Sequence, residues 1–172
     1  MPTLDAALQA RRHAIVMDHM TAENAYEFER CIGAFHHPRY EIVPTGEVWD
    51  GHDGVNTLLV ENKTGFPDFH FEPSAIHHAA EAVIVEGRFT GTHAGMWRGL
   101  PATGRKVGFP LVIIFVFDGD HMTCERTYFN LGTPLLQLGV ARDPNSAAGR
   151  VATMVNHPLT VVGAYTRARL RR

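Results

Sequence analysis

The chain has few cysteines. Only Cys31 and Cys124 occur among 172 residues, and they do not form a CxxC pattern. This scarcity excludes a zinc site built on thiolates and argues against a disulfide scaffold. The N-terminal residues also contain no apolar stretch suited to a signal peptide. Both observations are typical of a protein of the reducing cytoplasm, so we expect a cytoplasmic location.

The sequence also lacks an excess of basic charge and any long apolar run. The formal net charge is -2 at pH 7, so no overall basic field would attract nucleic acid or anionic lipid. The longest apolar run, residues 111–117, is far shorter than the roughly 20 residues of a membrane-spanning helix. We interpret the arginines at positions 167 to 172 as a solvated chain end. The sequence therefore predicts no nucleic-acid partner and no membrane partner.

Signatures of metal and cofactor binding are also missing. The chain has 11 histidines, but neither HExxH nor His-x-His occurs. Neighbouring residues of a strand point to opposite faces, so the pairs His36-His37 and His77-His78 could supply one ligand each at most. No glycine-rich loop of the phosphate-binding kind is present. We expect no metal and no cofactor.

What is present is the composition of one soluble globular domain, with 45% apolar and 20% charged residues. Apolar residues recur at helical spacing from Leu4 to Val16 and again after Asn24, and Pro38 ends the second segment. A short extended piece follows at residues 40–43, and residues 53–63 predict a third helix.

From Phe69 onward the apolar period changes from helical spacing to two, which predicts strands. Asp118-Gly119 is typical of a tight hairpin turn between two of them. Thr133-Pro134 resembles the start of a helix, with threonine as its N-cap, and the tail from Ala141 is moderately helical. The strands are predicted at residues 69–72, 83–93, 107–117 and 122–129.

The strand at residues 111–117 is apolar on both faces, which predicts that both are buried. One face would cover a ligand pocket. The other needs a partner, either the tail of the chain or a second subunit. We favour a homodimer formed through the sheet.

Several short motifs follow one another along the chain. They are His37-Pro38-Arg39-Tyr40, Gly91-Thr-His-Ala-Gly95, Gly99-Leu-Pro-Ala-Thr-Gly-Arg105, Phe117-Asp-Gly-Asp120, Glu125-Arg-Thr-Tyr-Phe-Asn130 and Leu135-Leu-Gln-Leu-Gly139. These motifs resemble the SnoaL-like polyketide cyclase (ester cyclase) family, whose His-Pro-x-Tyr is similar to the first of them, and the resemblance covers roughly residues 5 to 140. This family belongs to the superfamily of nuclear transport factor two, with ketosteroid isomerases, scytalone dehydratases and limonene-epoxide hydrolases.

The resemblance implies an α+β fold of the cystatin-like, nuclear transport factor two-like kind. A cone-shaped, curved antiparallel sheet would be closed by N-terminal helices. We expect residues 1–140 to form this domain and residues 141–172 to form a helical extension packed on it.

In the polyketide cyclases an aspartate of the pocket moves a proton without metal or cofactor. The matching position here is Asn130, and a pocket histidine of the family falls on Val112. Two residues are candidates for catalysis. Asn130 could donate a hydrogen bond to a ligand carbonyl, or be an ordinary amide at a strand end. His93 could titrate near neutral pH in the pocket, or be a structural histidine.

A second set of residues is predicted to bind the ligand, an apolar or aromatic carbonyl compound. Arg126 and Tyr128 share their parity with Asn130 and Cys124, so these four side chains should lie on one face of the strand. Arg126 could stabilise an oxyanion or pair with an acid such as Glu23 or Glu86. The predicted ligand-binding residues are Tyr40, Trp49, Phe89, Trp97, Val112, Arg126 and Tyr128.

Three functions stay open at this point. The first is a cofactor-independent enzyme of the cyclase, isomerase or dehydratase kind. The second is a small-molecule binding protein without catalysis, which the replacements at Asn130 and Val112 would favour. The third, epoxide hydrolysis, needs an Asp-Arg-Asp constellation, and no aspartate flanks Arg126 at matching parity.

Overall fold

The structure is a computed structural model that describes residues 5–170; Leu4, Arg171 and Arg172 lie outside the described residues. The predicted α+β fold is confirmed. None of the described helices is both long and apolar enough to span a membrane. The elements in chain order are α1 (Ala6–Asn24), α2 (Phe28–Ile32), β1 (Arg39–Ile42), β2 (Glu47–Asp50), α3 (Gly51–Gly65), β3 (His70–Ala79), β4 (Ala82–Thr92), β5 (Lys106–Asp118), β6 (His121–Phe129), α4 (Gly132–Leu138), α5 (Ala147–Asn156) and α6 (Pro158–Leu170).

The six strands form one curved sheet in the order β2-β1-β6-β5-β4-β3. Neighbouring strands are antiparallel, with one exception among the described strands: β1 runs parallel to β6. This pair departs from the predicted antiparallel sheet, because β1 enters the sheet from the helices and not through a hairpin. Strand β2 was not predicted, since its four residues are half-buried and exposed in turn and carry little apolar pattern.

The core lies between the inner face of this sheet and the N-terminal helices. Alternate residues of β4 and β5 meet across the ladder, as in the pairs Val83–Phe115 and Val85–Ile113. These side chains are buried, as is Leu58 of α3. Each such side chain contributes about 1.5–3 kcal/mol on burial. The alternation that predicted β4 and β5 is therefore the pattern that builds the core.

A bulge in β6 decides which of its residues face the core. The predicted hairpin between β5 and β6 is confirmed, but the pairing shifts just after it. Phe117 pairs with Met122, whereas Val116 pairs with Cys124, so Thr123 is an extra residue. Because of this insertion, the side chains of Met122 and Cys124 lie on opposite faces of the sheet, although the two residues are two positions apart in the sequence. Beyond the bulge, the odd-numbered residues of β6 face inward.

Helix α1 is fixed to the sheet by a buried arginine. The Arg12 guanidinium donates hydrogen bonds to the carbonyl oxygen of Gly119 at 2.7 Å and to that of Ala80 at 2.8 Å. These carbonyls belong to the β5–β6 and β3–β4 turns, so one side chain joins α1 to two hairpins. This contact orients the rest of α1, including His19 and Glu23, against the sheet.

Helix α4 begins close to its predicted start, and α5 and α6 lie in the tail that was predicted to be moderately helical. Helix α4 starts at Gly132 with Leu131 at its N-cap, so Thr133 lies inside the first turn and is not the cap. Helix α4 ends at Leu138, and its C-cap residue Gly139 has a φ of 76°, the left-handed conformation that favours glycine. Helix α6 buries none of its side chains. The division of the chain at residue 140 stays a prediction.

Candidate active site

A cavity of about 150 Å³ lies between the inner face of the sheet and helices α1 and α3. Four phenylalanines of its wall form a continuous row. Ring centroids are 6.1 Å apart for Phe66 and Phe89, 5.2 Å for Phe89 and Phe109, and 5.1 Å for Phe109 and Phe129. An apolar, aromatic cavity of this kind is suited to a small organic molecule.

Two carboxyl groups interrupt this apolar wall. Glu23 comes from α1 and Glu125 from β6, and both line the cavity together with Tyr40 and Thr127. A buried carboxylate is costly unless its oxygens are hydrogen-bonded or paired with a charge. The groups around these two carboxyls therefore determine which of them carries a proton.

His19 lies directly behind Glu125 and is fully buried. Its Nδ1 is 3.0 Å from the carbonyl oxygen of Cys31, and its Nε2 is 3.1 Å from Oε2 of Glu125. A carbonyl oxygen can only accept, so Nδ1 carries a hydrogen. Two bare acceptors would repel each other at 3.1 Å, so a second proton lies between Nε2 and Oε2. His19 and Glu125 thus form a pair that shares one proton.

Further contacts hold this pair in place. Thr127 donates a hydrogen bond from Oγ1 to Oε1 of Glu125 at 3.2 Å, and the Tyr40 hydroxyl is 3.2 Å from Nε2 of His19. Burial by itself would lower the pKa of His19, but its contacts with Cys31 and Glu125 raise that pKa well above its ordinary value. Burial, with the negative charge of Glu125, raises the pKa of Tyr40, which stays a neutral phenol.

Glu23 is the group of this cluster that can exchange a proton with a ligand. Its Oε2 is 3.7 Å from Nε2 of His19, and its side chain is 25% exposed. Burial raises the pKa of Glu23 to about 7; the negative charge of Glu125 adds to the rise, and the charge of His19 opposes it. At neutral pH this carboxyl is therefore populated in both its protonated and its charged form.

The same cluster could be considered for a metal ion, because His19, Glu23 and Cys31 offer ligand atoms within 4.8 Å of one another. Two features fit a cation poorly. Nε2 of His19 is already engaged with Glu125. Burial also raises the pKa of the Cys31 thiol, whereas a metal ion binds the thiolate. The arrangement suits shared protons better than a bound cation.

The sequence analysis did not predict His19, Glu23 or Glu125 as residues of the site. His19 and Glu23 are four residues apart on α1, in register with the buried side chains Val16 and Met20. Polar residues on the buried stripe of a helix were the available signal. Glu125 could not be found by parity, because the bulge before it reverses the faces of β6.

Three of the predicted ligand-binding residues lie in the cavity wall: Tyr40, Phe89 and Trp97. Trp49 packs against the core without lining the cavity. Its indole nitrogen is buried and has no hydrogen-bond partner within residues 5–170.

The other predicted residues of β5 and β6 point away from the cavity, so the assignment of their face was wrong. Val112 pairs with Tyr128 on the outer face of the sheet, where Tyr128 is exposed. Arg126 also lies there and donates from Nε to Oε2 of Glu41 at 2.6 Å. Its acid partner is thus Glu41 and not Glu23 or Glu86, the two acids that were expected. The prediction that these residues of β6 share one face was correct, but the bulge places that face on the outside of the sheet.

Neither predicted catalytic residue lines the cavity. Asn130 is exposed, and its Oδ1 accepts a hydrogen bond from the backbone of Gly132 at 2.9 Å, so it stabilises the turn before α4. His93 is fully buried behind the wall, against Phe66 and within 3.1 Å of the Thr103 hydroxyl. Burial lowers the pKa of His93. Both residues thus make structural contacts outside the cavity wall.

Comparisons with known proteins agree with this fold. The family described as SnoaL-like polyketide cyclase matches residues 15–138. No curated protein matches the chain. Among solved structures, AclR, a putative hydroxylase from Streptomyces galilaeus, is 21% identical with a TM-score of 0.67, covering 77% of this chain and 98% of its own.

Two further structures have the same fold. A putative polyketide cyclase from Xanthomonas campestris pv. campestris is 16% identical with a TM-score of 0.69, over 76% of this chain and 98% of its own. A protein of ketosteroid isomerase-like fold from Catenulispora acidiphila, in complex with trimethylamine, is 17% identical with a TM-score of 0.61, over 73% and 92%. At these identities the likeness shows the fold alone.

Proposed function

This chain belongs to the SnoaL-like polyketide cyclase family, and from that premise we propose that it is a cofactor-independent enzyme that transfers a proton on a small apolar carbonyl compound. Cyclisation, isomerisation and dehydration of such compounds all involve moving a proton next to a carbonyl group. The observation that carries the proposal is Glu23, a carboxyl group with a pKa of about 7 in an aromatic cavity.

In the proposed reaction Glu23 is both the base and the acid. Its charged form removes a proton from the carbon next to the carbonyl, and the electron pair of that C–H bond moves into an enolate. The protonated Glu23 then returns the proton to another atom of the same molecule. A catalytic pKa close to the working pH suits both steps, and the phenylalanine row limits the access of water.

Glu125 and His19 act through Glu23. The negative charge of Glu125 helps to raise the pKa of Glu23, and Glu125 is held in place by its contacts with His19 and Thr127. Both are therefore positioning residues in this proposal. In many enzymes the surroundings of two neighbouring acids give them different pKa values, and the two acids then have different roles.

The proposal is tested by hydrogen–deuterium exchange at the methyl group of 2-acetylnaphthalene in D2O, followed by proton NMR. The protein should accelerate exchange, and the rate should rise with pH through about 7 because the carboxylate is the base. Glu23→Gln should lower the rate by a factor of about 100 or more. Glu41→Gln, a matched change on the outer face of the sheet, should leave it unchanged.

Binding of the ketone without accelerated exchange would contradict catalysis. It would favour the second function, a non-catalytic small-molecule binding protein, which is supported by Asn130 at the position of the family's catalytic aspartate. Epoxide hydrolysis is not proposed, because the acids of the cavity wall are glutamates and Arg126 lies outside the cavity.

We also propose that the protein is a homodimer of the cytoplasm. The apolar residues Val112, Ile114 and Val116 on the outer face of β5 are only partly buried, and the same face of a second copy would cover them. Light scattering should give the mass of a dimer, and Ile114→Glu should convert it to a monomer. The two cysteines are free and buried, which suits a reducing compartment.

A further inference from the structure

Asn62 contributes another polar side chain to the cavity wall, from helix α3. The indole nitrogen of Trp97 is 3.2 Å from its Oδ1. An indole N–H can only donate a hydrogen bond, so the oxygen of the Asn62 amide must be the atom that faces Trp97. The NH2 group of the same amide is then directed away from Trp97. Chemistry therefore fixes the orientation of this amide.

Trp97 is itself held firmly against α3. Its backbone forms both hydrogen bonds of a tight turn with Leu100, at 3.0 and 2.8 Å. The next backbone N–H, that of Arg98, donates to Oε1 of Glu61 on α3 at 3.2 Å. Gly65 makes the close approach possible, because a Cβ at that position would lie 2.6 Å from Cβ of Trp97. The indole is thus a fixed donor for the Asn62 oxygen.

The NH2 group of Asn62 is free to meet a ligand. Within the described part of the chain, the amide's one side-chain hydrogen bond is the bond to Trp97. Its nitrogen is not among the fully buried polar atoms that lack a partner, so it is accessible, and Asn62 belongs to the cavity wall. A neutral amide donor in an apolar cavity is suited to an uncharged oxygen acceptor.

We propose that Asn62 binds the carbonyl oxygen of the ligand and that Trp97 positions its amide for this role. The inference rests on the proposed function and names its substrate class: a ketone or ester with a removable hydrogen beside the carbonyl. When Glu23 removes the neighbouring proton, negative charge grows on the oxygen that Asn62 holds, and a donor placed there favours the reaction.

The test compares 2-acetylnaphthalene with 2-ethylnaphthalene, which has the same ring system but no carbonyl. Binding is measured by quenching of tryptophan fluorescence, and the C=O band of the bound ketone by infrared difference spectroscopy. The wild type should bind the ketone about tenfold more tightly, as one hydrogen bond to a buried group provides. Asn62→Leu should lose this preference and shift the band to higher frequency. Asn56→Leu, on the same helix but outside the cavity wall, is the control.

Two further variants separate positioning from folding. Trp97→Phe keeps an aromatic ring but removes the N–H, so the C=O band should shift and broaden even where the affinity changes little. Asn62→Asp keeps the shape but replaces the donor, so ketone affinity should fall about tenfold at neutral pH and recover at low pH. These variants keep the inference testable if Asn62→Leu does not fold.

Either of two results would overturn the inference: a wild type with no preference for the ketone, or an Asn62→Leu protein that keeps both the preference and the band. Failure here would leave proton transfer by Glu23 intact, since that is measured by exchange in Glu23→Gln. Conversely, a wild type that binds the ketone through Asn62 but does not accelerate exchange would contradict only the proposed catalysis.

Discussion

Two carboxyl groups on opposite sides of the sheet have nearly equal exposure, but their pKa values are shifted in opposite directions. The side chain of Glu41, on the outer face of β1, is 21% exposed, and that of Glu23, in the cavity, is 25% exposed. Hydrogen bonds from Arg126 and Arg39 lower the pKa of Glu41. Burial and the charge of Glu125 raise the pKa of Glu23 to about 7.

The difference has two causes: burial is the largest cause of the raised pKa of Glu23, whereas hydrogen bonds from two arginines are the largest causes of the lowered pKa of Glu41. Two arginines keep Glu41 ionised at any physiological pH, so it cannot supply a proton. A second carboxyl beside Glu23 has the reverse effect, and His19 offsets it only in part. Burial next to a second carboxyl therefore marks Glu23 as a candidate catalytic group, whereas two arginine partners mark Glu41 as a member of a structural ion pair.

The largest expected effect comes from breaking the inner cluster. His19→Leu keeps the apolar packing but leaves Glu125 buried without its partner. Removing one member of a buried pair typically costs about 3–5 kcal/mol. We expect a loss of this size in the free energy of unfolding, measured by urea denaturation at pH 7.

The outer pair provides the control for that experiment. Arg126→Ala removes a cation that is 43% exposed, and exposed pairs contribute about 0–1 kcal/mol. Similar losses for His19→Leu and Arg126→Ala would show that the inner cluster is no more strongly coupled than the outer one.

The second effect concerns the pH dependence of stability. A carboxyl whose pKa is higher in the folded than in the unfolded protein binds its proton more tightly when folded. Its contribution to stability is therefore present at low pH and is lost as the pH rises from 4.5 to about 7. For Glu23 this loss amounts to about 3 kcal/mol.

Glu23→Gln cannot titrate, so it should lack this loss. Relative to the wild type, the variant should gain about 3 kcal/mol in unfolding free energy between pH 4.5 and pH 8. Denaturation curves at both pH values measure the difference. Parallel pH profiles for the two proteins would mean that Glu23 has an ordinary pKa.

The smallest effect is expected at the outer site. Because the pKa of Glu41 is lowered in the folded protein, its contribution is present above the unfolded value and is lost as the pH falls through the folded value. Glu41→Gln should cost at most about 1 kcal/mol at pH 7, and salt should reduce that cost. A cost that salt leaves unchanged would point to a packing role for this residue.

The fold could be predicted from the sequence because its signals are local. Alternation in β4 and β5, the Asp118-Gly119 turn and the family motifs each occupy a few consecutive residues. Strand β2 was missed because its four residues, half-buried and exposed in turn, carry little apolar pattern. The parallel pairing of β1 with β6 was missed because no local pattern specifies the partner of a strand.

The site was harder to predict because it depends on contacts between distant residues. The apolar wall was found in part, through Tyr40, Phe89 and Trp97, because aromatic residues indicate a cavity on this fold. The acid cluster joins α1 to β6, 106 residues apart for His19 and Glu125, and one inserted residue in β6 reversed the face on which it was sought.

The most direct test of the account is the titration of the glutamate side chains by carbon-13 NMR, with Glu23→Gln to assign the resonance of Glu23. We predict one carboxyl resonance with a midpoint near 7 that is absent from the variant, while the resonance of Glu41 titrates below its ordinary range. If every glutamate carboxyl instead completes its titration by about pH 5.5, as unperturbed glutamates do, the cavity holds no group able to exchange a proton at neutral pH, and the account is wrong.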